Sequence, residues 1–364
     1  MPLKQPQKIT PSAKAKRIAL IMAASLVGIG VASIATTVCI YDSFFERYQR
    51  PDYGLYPGNF CYDRVADTLP RETFKIPSGD CLLQGYYYPA AIEKGLVVLA
   101  HGFHAGADDY LPLIAEIVKG GYGVLAYDVT GVYSSEGESV VGMCQSLVDL
   151  DRVLTFAAED SRFAQMPKMV VGHSWGGYAA ASVLALHSEI KAAVLLAPMN
   201  NGATIMLEKS EQYAGKAAAV AAKPIFDLYQ SMLFGRYVSY NGVVGINATT
   251  APVLIAQGVD DTVITPDGQS ITAHLEEITN PNLTLYWGRG YQGSHTGIWH
   301  SDAAEAYRAE LSAKRQAIEE QLGRAMTDSD LRAFYSDVDH ALYSQVNQEL
   351  LNLMFATFDQ GLAN

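Results

Sequence analysis

Lys168-Met169-Val170-Val171-Gly172-His173-Ser174-Trp175-Gly176-Gly177 is the stretch on which the reading of this chain turns. It opens as an apolar run of strand length. It then passes through G-x-S-x-G and continues at once into a segment, 175–187, whose apolar residues recur at helical spacing. A bare G-x-S-x-G carries little information. Between a strand and a helix it describes a sharp turn that holds a serine hydroxyl exposed in a strained backbone conformation. Glycines two before and two after remove side chains that would collide across such a turn. Ser174 is therefore the candidate nucleophile. The amide of Trp175, at the start of the helix, is placed to meet negative charge developing beside it.

Working outward, strand-like runs fall at 73–77, 82–88, 96–100, 123–127, 168–172, 192–197, 252–257 and 283–287. Several are apolar at every position, as expected of strands covered on both faces. Helical patterns at 109–119, 143–159, 175–187 and 267–278 lie between the later ones. The alternation predicts an α/β fold, an eight-stranded mostly parallel sheet flanked by helices. The first two runs have no helix between them and should form an antiparallel edge. Residues 200–250 interrupt the alternation with a helical, Gly- and Pro-broken segment. Residues 301–364 read as two further helices. The second starts at Thr327, with Asp330 placed for a capping box. Its stripe of Leu342, Val346, Leu350 and Leu353 reads as packing onto the main domain.

A serine hydroxyl needs a base, and the base needs an orienting acid; in a strand-turn-helix site of this kind the chain order is Ser, acid, His. After the seventh strand comes Gly258-Val259-Asp260-Asp261. Neighbouring residues in an extended loop point in different directions, and Asp261 is chosen over Asp260. After the sixth strand, Pro198-Met199-Asn200 offers no acid. Beyond the eighth strand, His295 stands between Gly293 and Gly297 and is the candidate base; His300 is its rival. The loop after the third strand, Ala100-His101-Gly102-Phe103-His104, should supply the second oxyanion donor, assigned to the amide of Phe103. His101 reads as a loop brace. A metal at His101 and His104 lacks a convincing third ligand, and the chemistry needs neither metal nor cofactor.

Taken together, these residues resemble the α/β-hydrolase superfamily, most closely the branch of serine aminopeptidase-like enzymes and monoacylglycerol lipases. The resemblance covers about residues 72–300. It includes Asp128-Val-Thr-Gly131-Val-Tyr133-Ser-Ser135-Glu-Gly137 after the fourth strand, where many members carry Gly in place of Tyr133. The resemblance implies a hydrolase domain over 72–300, a substrate-selecting cap at 200–250, and acyl transfer through Ser174, His295 and Asp261. A small carboxylic ester is the expected substrate. A peptidase, an acyltransferase and a catalytically silent binding module are the alternatives.

The N-terminus adds a separate signal. Residues 1–17 hold five cations and no acid, and 18–40 hold no charge at all. At about 1.5 Å per residue a helix over 18–40 would cover a hydrocarbon core of roughly 30 Å. Its length favours an uncleaved anchor over a signal peptide. The basic flank should stay cytoplasmic, placing the catalytic domain outside the cell membrane. Residues 41–71 read as a tether. The net charge is −12; without the five N-terminal cations the rest carries about −17, which argues against nucleic acid as a partner. In an oxidising space Cys61 and Cys81 could pair or remain separate thiols. Cys144 reads as core packing, and Cys39 as a poor lipidation site. Asn247 and Asn282 would accept glycans only in a suitable host.

Overall fold

The centre of the sheet is built by runs that are apolar or nearly so and buried at every position, such as Leu96–Ala100 and Gly123–Tyr127. In the computed structural model, which describes residues 34–36, 38, 39, 41–58, 61–202, 211 and 215–363, the strands are β1 (Glu72–Ser78), β2 (Cys81–Tyr88), β3 (Leu96–Ala100), β4 (Gly123–Tyr127), β5 (Lys168–His173), β6 (Ile190–Leu196), β7 (Val253–Gly258) and β8 (Leu283–Gly288). Their order is β1-β2-β4-β3-β5-β6-β7-β8. β1 pairs antiparallel with β2, and β2 with β4; every later pair is parallel.

Side chains alternate across a strand, and that alternation divides the core in two. Val98, Leu125, Val170, Leu195 and Ile255 face one layer. Val97, Val124, Val171, Val194 and Leu254 face the other. The first face is covered by α2 (Gln145–Glu159) and α3 (Trp175–Ser182). The second is covered by α1 (Leu111–Lys119) and, at the end of the chain, by α9 (Gln348–Ala363). Between β6 and β7 lie α4 (Lys216–Phe234) and the short α5 (Gly242–Asn247), in the segment expected to cap the site.

Three expectations need correction. Residues 41–58 are a packed strap, not a tether. Tyr41 and Phe45 are buried, and backbone bonds join Phe45 and Tyr48 to Gly131, Tyr133 and Val140. Arg47 donates to the carbonyls of Tyr133, Ser135 and Gly137 at 2.5–2.9 Å. Residues 271–277 form a kinked 3-10 segment rather than an α-helix, with the break at His274.

The C-terminal extension is four helices rather than two: α6 (Asp302–Leu322), α7 (Asp328–Tyr335), α8 (His340–Tyr343) and α9. The expected capping box of Thr327 and Asp330 starts α7. Asp339 then caps a new start, and the Asn347 amide bonds to the Trp299 carbonyl, diverting the chain before α9. The buried stripe of α9 is therefore Leu350, Leu351, Met354 and Phe358, packed on the sheet, with Leu342 outside it.

Of the two readings left open for Cys61 and Cys81, the structure has the separate thiols. Cys144 is buried at the start of α2. Asn247 and Asn282 use their side-chain amides to brace backbone carbonyls at Glu277 and Thr250. Among the described residues no helix is long and apolar enough to cross a membrane; most of the 18–40 segment lies outside them.

Candidate active site

Ser174 joins β5 to α3 with φ 56° and ψ −112°, a left-handed conformation that a residue with a Cβ holds only under constraint. The constraint comes from both sides. Its N–H donates to the Leu196 carbonyl at 2.8 Å, and its carbonyl accepts from Tyr178 at 3.0 Å. A Cβ on Gly172 would lie 2.1 Å from the Gly176 carbonyl oxygen, and one on Gly176 would lie 2.1 Å from that of Ala100. These two glycines let the turn close against β3.

His295 approaches from the loop after β8. Its Nε2 lies 2.9 Å from Ser174 Oγ, and its Nδ1 lies 2.7 Å from Asp261 Oδ2. Since a carboxylate only accepts, Nδ1–H donates to Asp261, which leaves Nε2 to accept the serine proton. Asp261 is buried. Its Oδ1 accepts from the amides of Val263 and Ile264, and Gln257 Nε2 donates to Oδ2. Burial pushes its pKa up, but the His295 contact and the two amides outweigh burial and hold it below the ordinary value. Asp260 is exposed and contributes its backbone N–H to the Gly293 carbonyl.

The other candidates fall into place around this chain. Both His300 nitrogens are engaged: Nδ1 with Glu305 at 2.7 Å and Nε2 with Arg308 Nη2 at 3.0 Å. Burial lowers its pKa to about 4. His101 is engaged likewise, donating from Nδ1 to the Gly102 carbonyl and accepting at Nε2 from the Val129 amide. Neither of its nitrogens is left to bind a metal. Phe103 and Trp175, the residues expected to supply oxyanion amides, meet ring edge to ring face with centroids 5.3 Å apart. The Trp175 indole donates to the Met143 carbonyl at 2.6 Å, which fixes the first turn of α3.

A bridge that sequence reasoning missed runs through the variable position of the motif. The Gly102 amide donates to Tyr110 Oη at 2.9 Å, and Tyr110 Oη donates to His173 Nδ1 at 2.8 Å. His173 Nε2 then donates to the His295 carbonyl at 3.1 Å. Burial, followed by the nearby His295, lowers the His173 pKa to about 3, so the ring is neutral with its proton on Nε2. This imidazole ties the loop carrying Phe103 to the loop carrying His295.

Tyr133, the departure noted in the sequence, has φ 42°. That is the left-handed region that favours glycine, and a tyrosine there is strained. Its hydroxyl donates to Asp109 Oδ2 at 2.9 Å, an anchor that glycine would lack. Tyr133 lines a neighbouring cavity with Tyr48, Tyr53, Tyr56 and His104. The cavity on the triad itself measures about 260 Å³, and its lining includes Phe103, Ser174, His295, Thr296, Trp299 and Arg308.

An eight-stranded, mostly parallel sheet with an antiparallel edge and a serine at the β5–α3 turn is the fold of the α/β hydrolases. Residues 91–238 match the family described as serine aminopeptidase, S33; that span holds Ser174 but neither Asp261 nor His295. Among solved structures, an esterase of Pyrococcus furiosus is similar with TM-score 0.52 at 19% identity, over 76% of this chain and 98% of that one. Polyketide transferases of a Penicillium species and of Aspergillus fumigatus are each 28% identical, over 139 and 137 residues. This chain spans about half the length of these curated relatives, 47% in both cases.

Proposed function

We propose that the protein is a serine hydrolase that cleaves carboxylic esters through Ser174, His295 and Asp261. The carrying observation is the unbroken hydrogen-bond chain from Asp261 through His295 to the Ser174 hydroxyl, opening on a cavity. His295 Nε2 takes the serine proton as Oγ attacks the ester carbonyl. The amides of Phe103 and Trp175 meet the oxyanion. Collapse expels the alcohol, protonated by His295, and leaves an acyl-enzyme. Water, deprotonated by His295, releases the acid. Asp261 holds the imidazole in the required tautomer and stabilises its cation.

The test is labelling with a fluorophosphonate probe, followed by a chain-length series of p-nitrophenyl esters. Labelling should map to Ser174. Ser174→Ala should lower kcat/KM at least about a thousandfold without changing the unfolding temperature. Unchanged turnover in that variant would remove the assignment. Folded protein that never labels would point to a binding module, and labelling without ester turnover to a peptidase.

A second reading, acyl transfer to an alcohol, draws on the two polyketide transferases. It predicts that an added alcohol captures the acyl group in preference to water. We also propose that residues 18–40 anchor the chain, with the catalytic domain outside the cell membrane. The uncharged run behind five cations supports this. Protein released from membranes by alkaline carbonate would contradict it.

A further inference from the structure

Arg308 belongs to α6, in the extension beyond the base, yet it lines the same cavity as Ser174 and His295. Its side chain is 18% exposed. Such a charge is costly to bury unless it is paired, and its pairing is incomplete. Nε donates to the Tyr343 carbonyl at 2.9 Å, and Nη2 donates to the neutral His300 ring at 3.0 Å. Both partners are uncharged. Tyr343 also lies under the guanidinium, 4.2 Å from its ring centroid. The carboxylate nearest in charge is Glu305, 3.6 Å from Nε; its Oε1 accepts the His300 Nδ1 proton at 2.7 Å. Burial lowers the Arg308 pKa, which registers the same deficit.

These bonds occupy the Nε side of the guanidinium and hold its plane fixed. Among the described residues, Nη1 and the second Nη2 hydrogen take no hydrogen-bond partner. Two parallel N–H groups on a fixed plane fit a carboxylate in bidentate fashion. At about 260 Å³ the cavity is small for a drug-sized ligand. The body of the protein is acidic, so the preference for an anion would arise locally.

We propose that Arg308 is a specificity-determining residue that receives the carboxylate of a small ester bound at Ser174. This rests on the reading of Ser174 as the nucleophile. On this reading a helix outside the family match reaches the cavity because it carries the group that selects the substrate.

The test separates the two claims. Binding of monomethyl succinate, glutarate and adipate to Ser174→Ala is measured by titration calorimetry, beside the neutral methyl butyrate. At least one monoanion should bind at least about tenfold more tightly than methyl butyrate. Adding Arg308→Gln should weaken that monoanion about tenfold or more, and Arg308→Lys should restore part of the loss. Equal affinity for the monoanions and the neutral ester overturns the proposal even if the Arg308 variants fail to fold. A preference unaltered in folded Arg308→Gln overturns it too. Fluorophosphonate labelling of the unaltered protein reports on Ser174 separately. A labelled enzyme without anion preference leaves the hydrolase standing and removes Arg308. An unlabelled protein with an Arg308-dependent preference does the reverse.

Discussion

Helices α3 and α4 use similar residues and meet opposite fates. α3 reads WGGYAAAS and α4 begins KAAAVAAKPIF, both rich in small residues. Every residue of α3 is buried. α4 buries only Ala219, Gln230 and Phe234, and leaves Val220, Leu228 and Met232 more than half exposed. The difference lies in what the small residues are for. In α3 they permit backbone contact: Gly176 meets Ala100, and Gly245 of α5 meets the Ala181 carbonyl. In α4 they are helix formers over a surface. One region is held by geometry that admits no added atom. The other is draped over it, bonded at points such as Tyr229 to Asp42 at 3.0 Å.

Four experiments would break or sharpen that contrast. The rigid region should respond most to loss of its buried acid. Asp261→Asn should lower kcat by about three to four orders of magnitude, whereas Asp260→Asn, one residue along, should change it less than threefold. Equal effects of the two would mean that the loop does not hold the carboxylates apart.

Next in size is Gly176→Ala. Its methyl would meet the Ala100 carbonyl at 2.1 Å, and denaturant unfolding should show a loss of about 3 kcal/mol or more. A loss under 1 kcal/mol would show that α3 can move off the sheet.

Acid should act through the same region. Burial holds the pKa values of His101, His173 and His300 at about 4, 3 and 4, all below the ordinary imidazole value of about 6.5. The unfolded chain therefore takes up protons that the native chain refuses. Stability is complete above about pH 6.5 and is lost as pH falls, by roughly 2 kcal/mol per histidine at pH 5. Groups with raised pKa values oppose this, the buried acids Asp109, Asp128 and Asp149 and the imidazole of His187 among them. Burial raises Asp128 to about 6. At His187 burial alone would lower the pKa, but Asp151 and Glu189 outweigh it and raise the value. The net result is a lower thermal midpoint at pH 5 than at pH 7, and a flat profile would contradict the buried neutral rings.

The smallest effect belongs to α4. Met232→Ser, at a residue 75% exposed, should leave stability within about 0.5 kcal/mol. A larger loss would mean that α4 is supported by something beyond this chain.

What was legible in the sequence followed the range of the interactions. The strands could be read because the central ones are short, fully buried apolar runs, and the partly exposed β1 and β8 follow from the spacing around them. The hydrogen-bonded grouping of Ser174, Asp261 and His295 was legible because chain order and glycine spacing narrow where such partners can stand. The rest depends on contacts across long separations. Nothing near His173 announces Tyr110, 63 positions away. Arg308 looks like any charged residue of an amphipathic helix, and its place at the cavity follows only from the packing of α6. Residues 41–58 are rich in Tyr and Pro, which resembles linker composition. Their aromatic rings nevertheless pack, because Phe103 offers Phe45 and Tyr48 a partner at 5.8 and 5.5 Å.

That strap has a steric consequence. Tyr41 is fully buried against Phe226 and Tyr229 of α4, so residues 41–45 join the folded body beside α4. Because Tyr41 and Phe45 are wedged against α4 and Phe103, residues 41–45 cannot lift from the body without uncovering those rings as well.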